Sequence, residues 1–134
     1  MSTIVVPVVK TPAGVKAIAL AKEEARARDA EILLIGHAVV NEDLPENLDI
    51  LRDFLTELEK QLLDEGFRCR SEWSVGGSLA SATVEAAKNS DVELIVLGIR
   101  QRSSVGKAIL GSYEQEVLLD APCPVLSVRA PVRR

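Results

Sequence analysis

The chain has 134 residues, of which 47% are apolar, 27% charged and 3% aromatic, and its formal net charge is −4. That length, residues 1–134, supports a single domain with a sizeable core, and so few aromatics mean an aliphatic core, the kind that parallel strands buried on both faces need. The same figures exclude an aromatic stacking platform for single-stranded nucleic acid and count against a nucleic-acid or anionic-membrane binder.

The opening MSTIVVPVVK has no basic leader region and too short an apolar run for a secretory signal. Ile4 to Val9 is rich in β-branched residues and predicts a buried first strand, with Pro7 acceptable only where no ladder bond is needed. Thr11-Pro12 then supplies an N-cap and a first-turn proline. Val15, Ile18, Ala21 and Ala25 form the apolar stripe of the helix that follows.

Ile32 to Ile35 predicts a second strand running on toward Val40, and the polar stretch Asn41–Asn47, with Pro45, predicts a loop. Leu48, Leu51, Leu55, Leu58 and Leu62 keep a 3-4-3-4 rhythm that marks an amphipathic helix stopped by Gly66. Phe67 to Val75 alternates, with charges on one side, which predicts a half-exposed edge strand. Gly76-Gly77-Ser78 turns the chain into a short helix with Leu79, Ala82 and Ala86 on one side.

Leu94 to Gly98 is an apolar run that predicts a central strand. A helix from about Ser112 to Leu119 follows the next loop, Pro122-Cys123-Pro124 breaks it, and Val125 to Val128 is the last strand. Strictly alternating strands and helices imply a parallel sheet with helices on both faces, and in such sheets ligands bind beyond the carboxyl ends of the strands, where strand order reverses. No stretch approaches the ~18 apolar residues of a membrane span. Cys69 and Cys123 lack metal-ligand or C-x-x-C spacing, so reduced thiols and a cytoplasmic location are expected.

The loop after Gly98 is the most chemically suggestive stretch. It carries Arg100, Arg102 and Lys107, the hydroxyls of Ser103, Ser104 and Ser112, two more glycines and no carboxylate. A cationic, hydroxyl-rich loop entering a helix suits an anion, because free backbone amides and the positive helix end both favour phosphate. The competing reading is a solvated connection whose glycines only serve turns.

Gly98-x2-Gln101-x9-Gly111-Ser112, then Glu114-Gln115-Glu116-Val117-Leu118, then Ala121-Pro122-Cys123-Pro124-Val125-Leu126-Ser127-Val128-Arg129 resembles the C-terminal signature of the universal stress protein family. The opening IVVPV and the stretch from Gly77 to Gly98 extend the resemblance over most of the chain. It implies an open, doubly wound five-stranded α/β sheet of order 3-2-1-4-5, Rossmann-like and of the adenine nucleotide alpha hydrolase type. It also implies a stress-response homodimer joined through the last strand (Val125, Leu126, Ser127, Val128). Many members bind ATP, which would set Gly98, Arg100, Arg102, Ser103, Ser104, Gly111 and Ser112 around the phosphates. Val9, Lys10, His37, Val39 and Gly77 would then line the base side. Arg100 and Arg102 rest on charge and place and not on the family pattern.

Two positions depart from that pattern. Val9 stands where the family has an aspartate, and an apolar side chain neither accepts a hydrogen bond from adenine or ribose nor holds a metal-bound water, so Mg²⁺ loses its support. Gln101 replaces the second loop glycine, where a side chain can block close backbone approach or forbid a positive φ. The alternative is an interaction or transporter-associated regulatory domain that binds no nucleotide.

Other constellations fail on their chemistry. Gly106-Lys107 grazes a Walker A loop, but Gln101 and Ala108 stand where that motif needs Gly and Ser or Thr. A phospho-receiver needs acids where Val9-Lys10 and Gly76-Gly77 stand, and Thr11-Pro12-Ala13-Gly14 is no dinucleotide fingerprint. His37, the single histidine, either lines the crevice or is a packed strand-end residue. With no G-x-S-x-G elbow and no carboxylate pair at strand ends, no catalytic machinery is visible, and the chain is not expected to be an enzyme.

Overall fold

The computed structural model describes residues 2–38, 46–99 and 110–130. Strands and helices alternate through them as β1 (Thr3–Pro7), α1 (Pro12–Arg28), β2 (Glu31–Ala38), α2 (Glu46–Asp64), β3 (Cys69–Val75), α3 (Leu79–Ala87), β4 (Val92–Ile99), α4 (Ser112–Asp120) and β5 (Val125–Arg129). The strands form one parallel sheet in the order β3-β2-β1-β4-β5, the expected arrangement.

From β1 the chain steps outward to β3, then returns across the sheet to β4 and β5. Right-handed crossovers put α1 and α2, which step outward from β1 to β3, on one face, and α3 and α4, which step the other way, on the opposite face. Accordingly Ile4, Val6, Ile32, Leu34, Leu94 and Val96 pack with Ala17, Ala21, Leu55 and Leu62 of α1 and α2. Val5, Leu33, Ile35, Ile95 and Leu97 pack with Ala80, Ala87 and Val117 of α3 and α4. Both sides of β1, β2 and β4 are therefore covered, which is why those strands read as unbroken apolar runs.

β1 ends at Pro7, two residues short of the expected Val9. Val8 N–H donates to Ile35 O and Thr3 N–H to Asp91 O, each at 2.9 Å. Even-numbered residues of β1 thus bond toward β2 and odd-numbered ones toward β4, and pairing with β4 runs only from Thr3 to Val5. Pro7 lacks its N–H where no ladder bond would form. Val8 and Val9 then leave the sheet and enter the crevice.

Other boundaries differ for local reasons. α2 begins at Glu46, so Glu46 and Asn47 are helical and not loop; the rest of that expected loop lies outside the described residues, as do the expected β2 continuation at 39–40 and the loop at 100–109. β3 begins at Cys69 because Phe67 belongs to the end of α2. Its N–H donates to Leu62 O and Gly66 N–H to Leu63 O, both at 3.0 Å, with Gly66 at φ 95°. That pair of bonds is a Schellman cap, and Phe67 packs against the cluster containing Leu62.

Two helical stripes are rotated from expectation. α1 buries Ala13, Gly14, Ala17, Ala21 and Ala25, while Val15 is 67% exposed. The small-residue face wins the sheet because it allows close approach, and the larger side chains turn aside. α3 buries Ala80, Thr83 and Ala87, with Leu79, Ala82 and Ala86 only half-buried. Thr83 tolerates burial because its hydroxyl donates to Leu79 O at 2.7 Å.

Candidate functional site

The sheet reverses direction between β1 and β4, and the crevice there is built by the chain leaving β1, the end of β2 and the starts of α3 and α4. Two cavities occupy it. One, of about 260 Å³, is lined by Val8, Val9, Lys10, Gly36, His37, Leu51, Phe54, Leu55, Trp73 and Leu79. The other, of about 240 Å³, is lined by Val9, Ser78, Leu79, Ala80, Ser112, Tyr113 and Glu116. Val9 and Leu79 belong to both. Each is smaller than an ordinary small-molecule pocket, and together they enter that size range.

In the first cavity Lys10 is exposed, its Nζ 4.9 Å from the centre of the Phe54 ring. His37 is half-buried, with Nε2 2.8 Å from Gly76 O. A carbonyl only accepts, so Nε2 carries the proton and the imidazole ties the end of β2 to the Gly76-Gly77 turn. Both readings of His37 therefore hold together: it is a hydrogen-bonded strand-end residue and it lines the crevice. Gly36 is also structural, since a Cβ there would lie 2.6 Å from Leu55 Cδ2 and 2.8 Å from Trp73 Cε3.

The second cavity lies between two helix starts. Ser78 caps α3 reciprocally with Ser81, through bonds of 2.9 Å from Ser81 N–H and 3.2 Å from Ser78 N–H. Gly77 precedes it at φ 65°, where glycine is favoured. α4 begins after Gly111, which offers no capping side chain, so its first-turn amides are not met by one. Glu114 in that turn is 3% exposed. Glu114 Oε2 and the Tyr113 hydroxyl are both buried without a hydrogen-bond partner among the described residues. Burial first, then the Glu114 charge, pushes Tyr113 ionisation upward.

Of the residues expected at a site, Val9, Lys10 and His37 come together in the first cavity, and Val9 and Ser112 in the second. Gly77 lines neither cavity and precedes Ser78, which lines the second. Val39, Arg100, Arg102, Ser103 and Ser104 lie outside the described residues. Gly98 has a packing role: a Cβ there would lie 2.6 Å from Ala13 O and 2.9 Å from Gly14 N, so its bareness admits the first turn of α1. Gly14 in turn admits the Val9 carbonyl, against which a Cβ would collide.

Sequence reasoning missed Gly36, Phe54, Leu55, Trp73, Leu79 and Tyr113. The inward phase of Trp73 in β3 and of Leu55 in α2 was a signal for burial, but periodicity cannot tell a core wall from a pocket wall.

The sequence model of the Universal stress protein family matches residues 1–129. The chain belongs to that family. Among its relatives, a universal stress protein of Mycolicibacterium smegmatis is 35% identical over 122 residues, covering 88% of this chain and 90% of that one. A solved universal stress protein of Archaeoglobus fulgidus is 28% identical with a TM-score of 0.80, covering 96% of this chain and 98% of the other. A second structure from that organism is a universal stress protein in complex with dAMP; it is 24% identical, with a TM-score of 0.75 and coverage of 96% and 98%.

Among the described residues no group of three or more His, Cys, Asp or Glu could hold a metal ion, and Val9, which lines both cavities, has no donor atom in its side chain. Likewise, among those residues no helix is long and apolar enough to cross a membrane.

Proposed function

We propose that this universal stress protein domain is a regulatory homodimer that holds an adenine nucleotide in the crevice, without a bound metal and without a chemical step of its own. The paired cavities that meet at Val9 and Leu79 carry this reading. The first offers apolar walls and a histidine for a base, and the second offers the amide end of α4 for the sugar and phosphate. Glu116 in the second cavity repels phosphate, so most of the nucleotide's charge falls to Arg100, Arg102, Ser103 and Ser104, with Lys10 adding a cation from the base side. The dAMP complex of the related fold supports the nucleotide class.

The two-fold contact runs through Val125–Val128 of β5 at the sheet edge. The thiols of Cys69 and Cys123 are free, in keeping with the cytoplasmic location proposed for the dimer.

Extraction of the purified protein by heat, followed by chromatography of the extract, is expected to release adenine nucleotide. Calorimetric titration with AMP and ATP should give saturable heat that added Mg²⁺ does not enhance. The double change Val9→Asp, Gln101→Gly should tighten ATP binding and introduce Mg²⁺ dependence. No heat at ~1 mM ligand, a concentration that would half-fill even a millimolar site, would instead favour the partner-binding reading that Val9 and Gln101 already motivate.

A further inference from the structure

The two crevice cavities have opposite charge. Among the described residues that line the first, Lys10 is a cation and none is Asp or Glu. Lys10 makes no ion pair among the described residues; its exposed ammonium rests instead on the Phe54 ring, 4.9 Å from the centroid. Arg52 stands in the same way over Trp73, a wall residue of that cavity, at 5.6 Å. Trp73 Nε1, which can only donate, is buried without a hydrogen-bond partner among the described residues. Glu57, one turn beyond Phe54, lines the separate cleft between α1 and α2 and not this cavity. The second cavity has Glu116 on its wall and no cation among the described residues.

We propose that the crevice takes an adenosine nucleotide carrying a further phosphate on its ribose, at the 2′ or the 3′ hydroxyl. This rests on the nucleotide reading above, in which the base fills the first cavity and the 5′-phosphate meets the start of α4. Val9 and Leu79 line both cavities, so the sugar lies against them. Lys10 follows Val9 and lines the first cavity alone. Its ammonium is therefore on the side of the sugar away from the 5′-phosphate, where the 2′ and 3′ hydroxyls are. An acid beside a ribose accepts hydrogen bonds from a free diol and repels a phosphate there. A cation does the reverse, the distinction that separates 2′-hydroxyl from 2′-phosphate sites in dinucleotide-binding sheets. Val9 and Lys10 form the second arrangement: the acid of the family pattern is replaced by an apolar side chain, and a cation stands next to its place.

The test is calorimetric titration of the full chain with AMP and with the two adenosine bisphosphates that add a 2′- or a 3′-phosphate to it, which between them identify the hydroxyl that carries the group. At least one bisphosphate should bind about tenfold more tightly than AMP, the size of one charge-assisted contact. Lys10 is exposed, so Lys10→Met should fold with its circular dichroism retained and bring the ratio of bisphosphate to AMP affinity close to one, whereas Lys10→Arg should keep the preference. Val9→Asp should invert the ratio, so that AMP binds more tightly. AMP that binds as well as both bisphosphates, or a preference that survives Lys10→Met, would overturn the proposal and leave the nucleotide reading standing. No heat from any of the three at ~1 mM would overturn both. Heat from a bisphosphate and none from AMP would support the proposal.

Discussion

At the residue scale, glycines and one thiol decide more than the charged side chains do. Gly98 resembles a phosphate-loop glycine, yet the backbone of Ala13 and Gly14 occupies the space its side chain would need. Backbone atoms at 2.6 Å and 2.9 Å cannot swing away as a side-chain tip can. Gly98→Ala is therefore expected to cost about 1–3 kcal/mol as overpacking, seen as a lower urea midpoint with or without nucleotide present. Cys69 is raised from an ordinary 9.0 to about 12, by burial first and then by the charges of Glu59 and Glu31. A raised thiol pKa favours the protonated, folded form. Its contribution is complete below the unfolded thiol value and is lost as pH climbs from there toward about 12. Stability should fall on going from about pH 8 to about pH 10, and the fall should be smaller in Cys69→Ser, as urea titrations at the two pH values would show.

At the element scale, helix ends and helix faces set the geometry of the crevice. Thr11 caps α1 by accepting from Gly14 N–H at 3.0 Å, which fixes the first turn that rests on Gly98. Thr11→Ala should cost about 1 kcal/mol, readable as a lower melting temperature. The Schellman cap at Gly66 stops α2 and delivers the chain into β3. The alternation of β3 holds as far as Trp73 and then slips, with Ser74 half-buried and Val75 45% exposed. On its exposed side Arg70 pairs with Glu31 at 2.6 Å and with Glu72 at 3.4 Å, charges that blunt an edge strand against pairing with other chains.

At the scale of the whole molecule, the two sheet edges differ. β3 is guarded by charge, whereas β5 has Val125, Leu126 and Val128 half-buried. Ile95 N–H donates to Pro124 O at 3.0 Å. In a parallel ladder Leu126 and Val128 then donate inward, and Val125, Ser127 and Arg129 point their N–H groups away from β4. The proposed dimer would use those outward groups. Ser127→Pro removes one of them from an edge strand that tolerates proline, so it should yield a folded monomer in sedimentation measurements with the circular dichroism retained. A dimer that persists in that variant would locate the contact elsewhere.

Strand and helix order, the parallel sheet, the Thr11 cap and the Gly66 stop were legible in the sequence, because apolar runs and caps act through neighbours a few residues away. The family was legible from Gly98, Gly111-Ser112 and the Ala121–Arg129 ending. Which face of α1 meets the sheet was not legible: Val15 and Ile18 are as apolar as the alanines, and only the close approach allowed by Gly98 gives the sheet to the small side. Nor could the sequence show that Trp73, Phe54 and Leu79 share a cavity with Lys10 and His37. They come from β3, α2 and α3, and only the pairing of β3 with β2 and the packing of the helices against the sheet bring them together. Local patterning sets each element, whereas a pocket is the space left between elements, and that space exists only once the sheet has assembled.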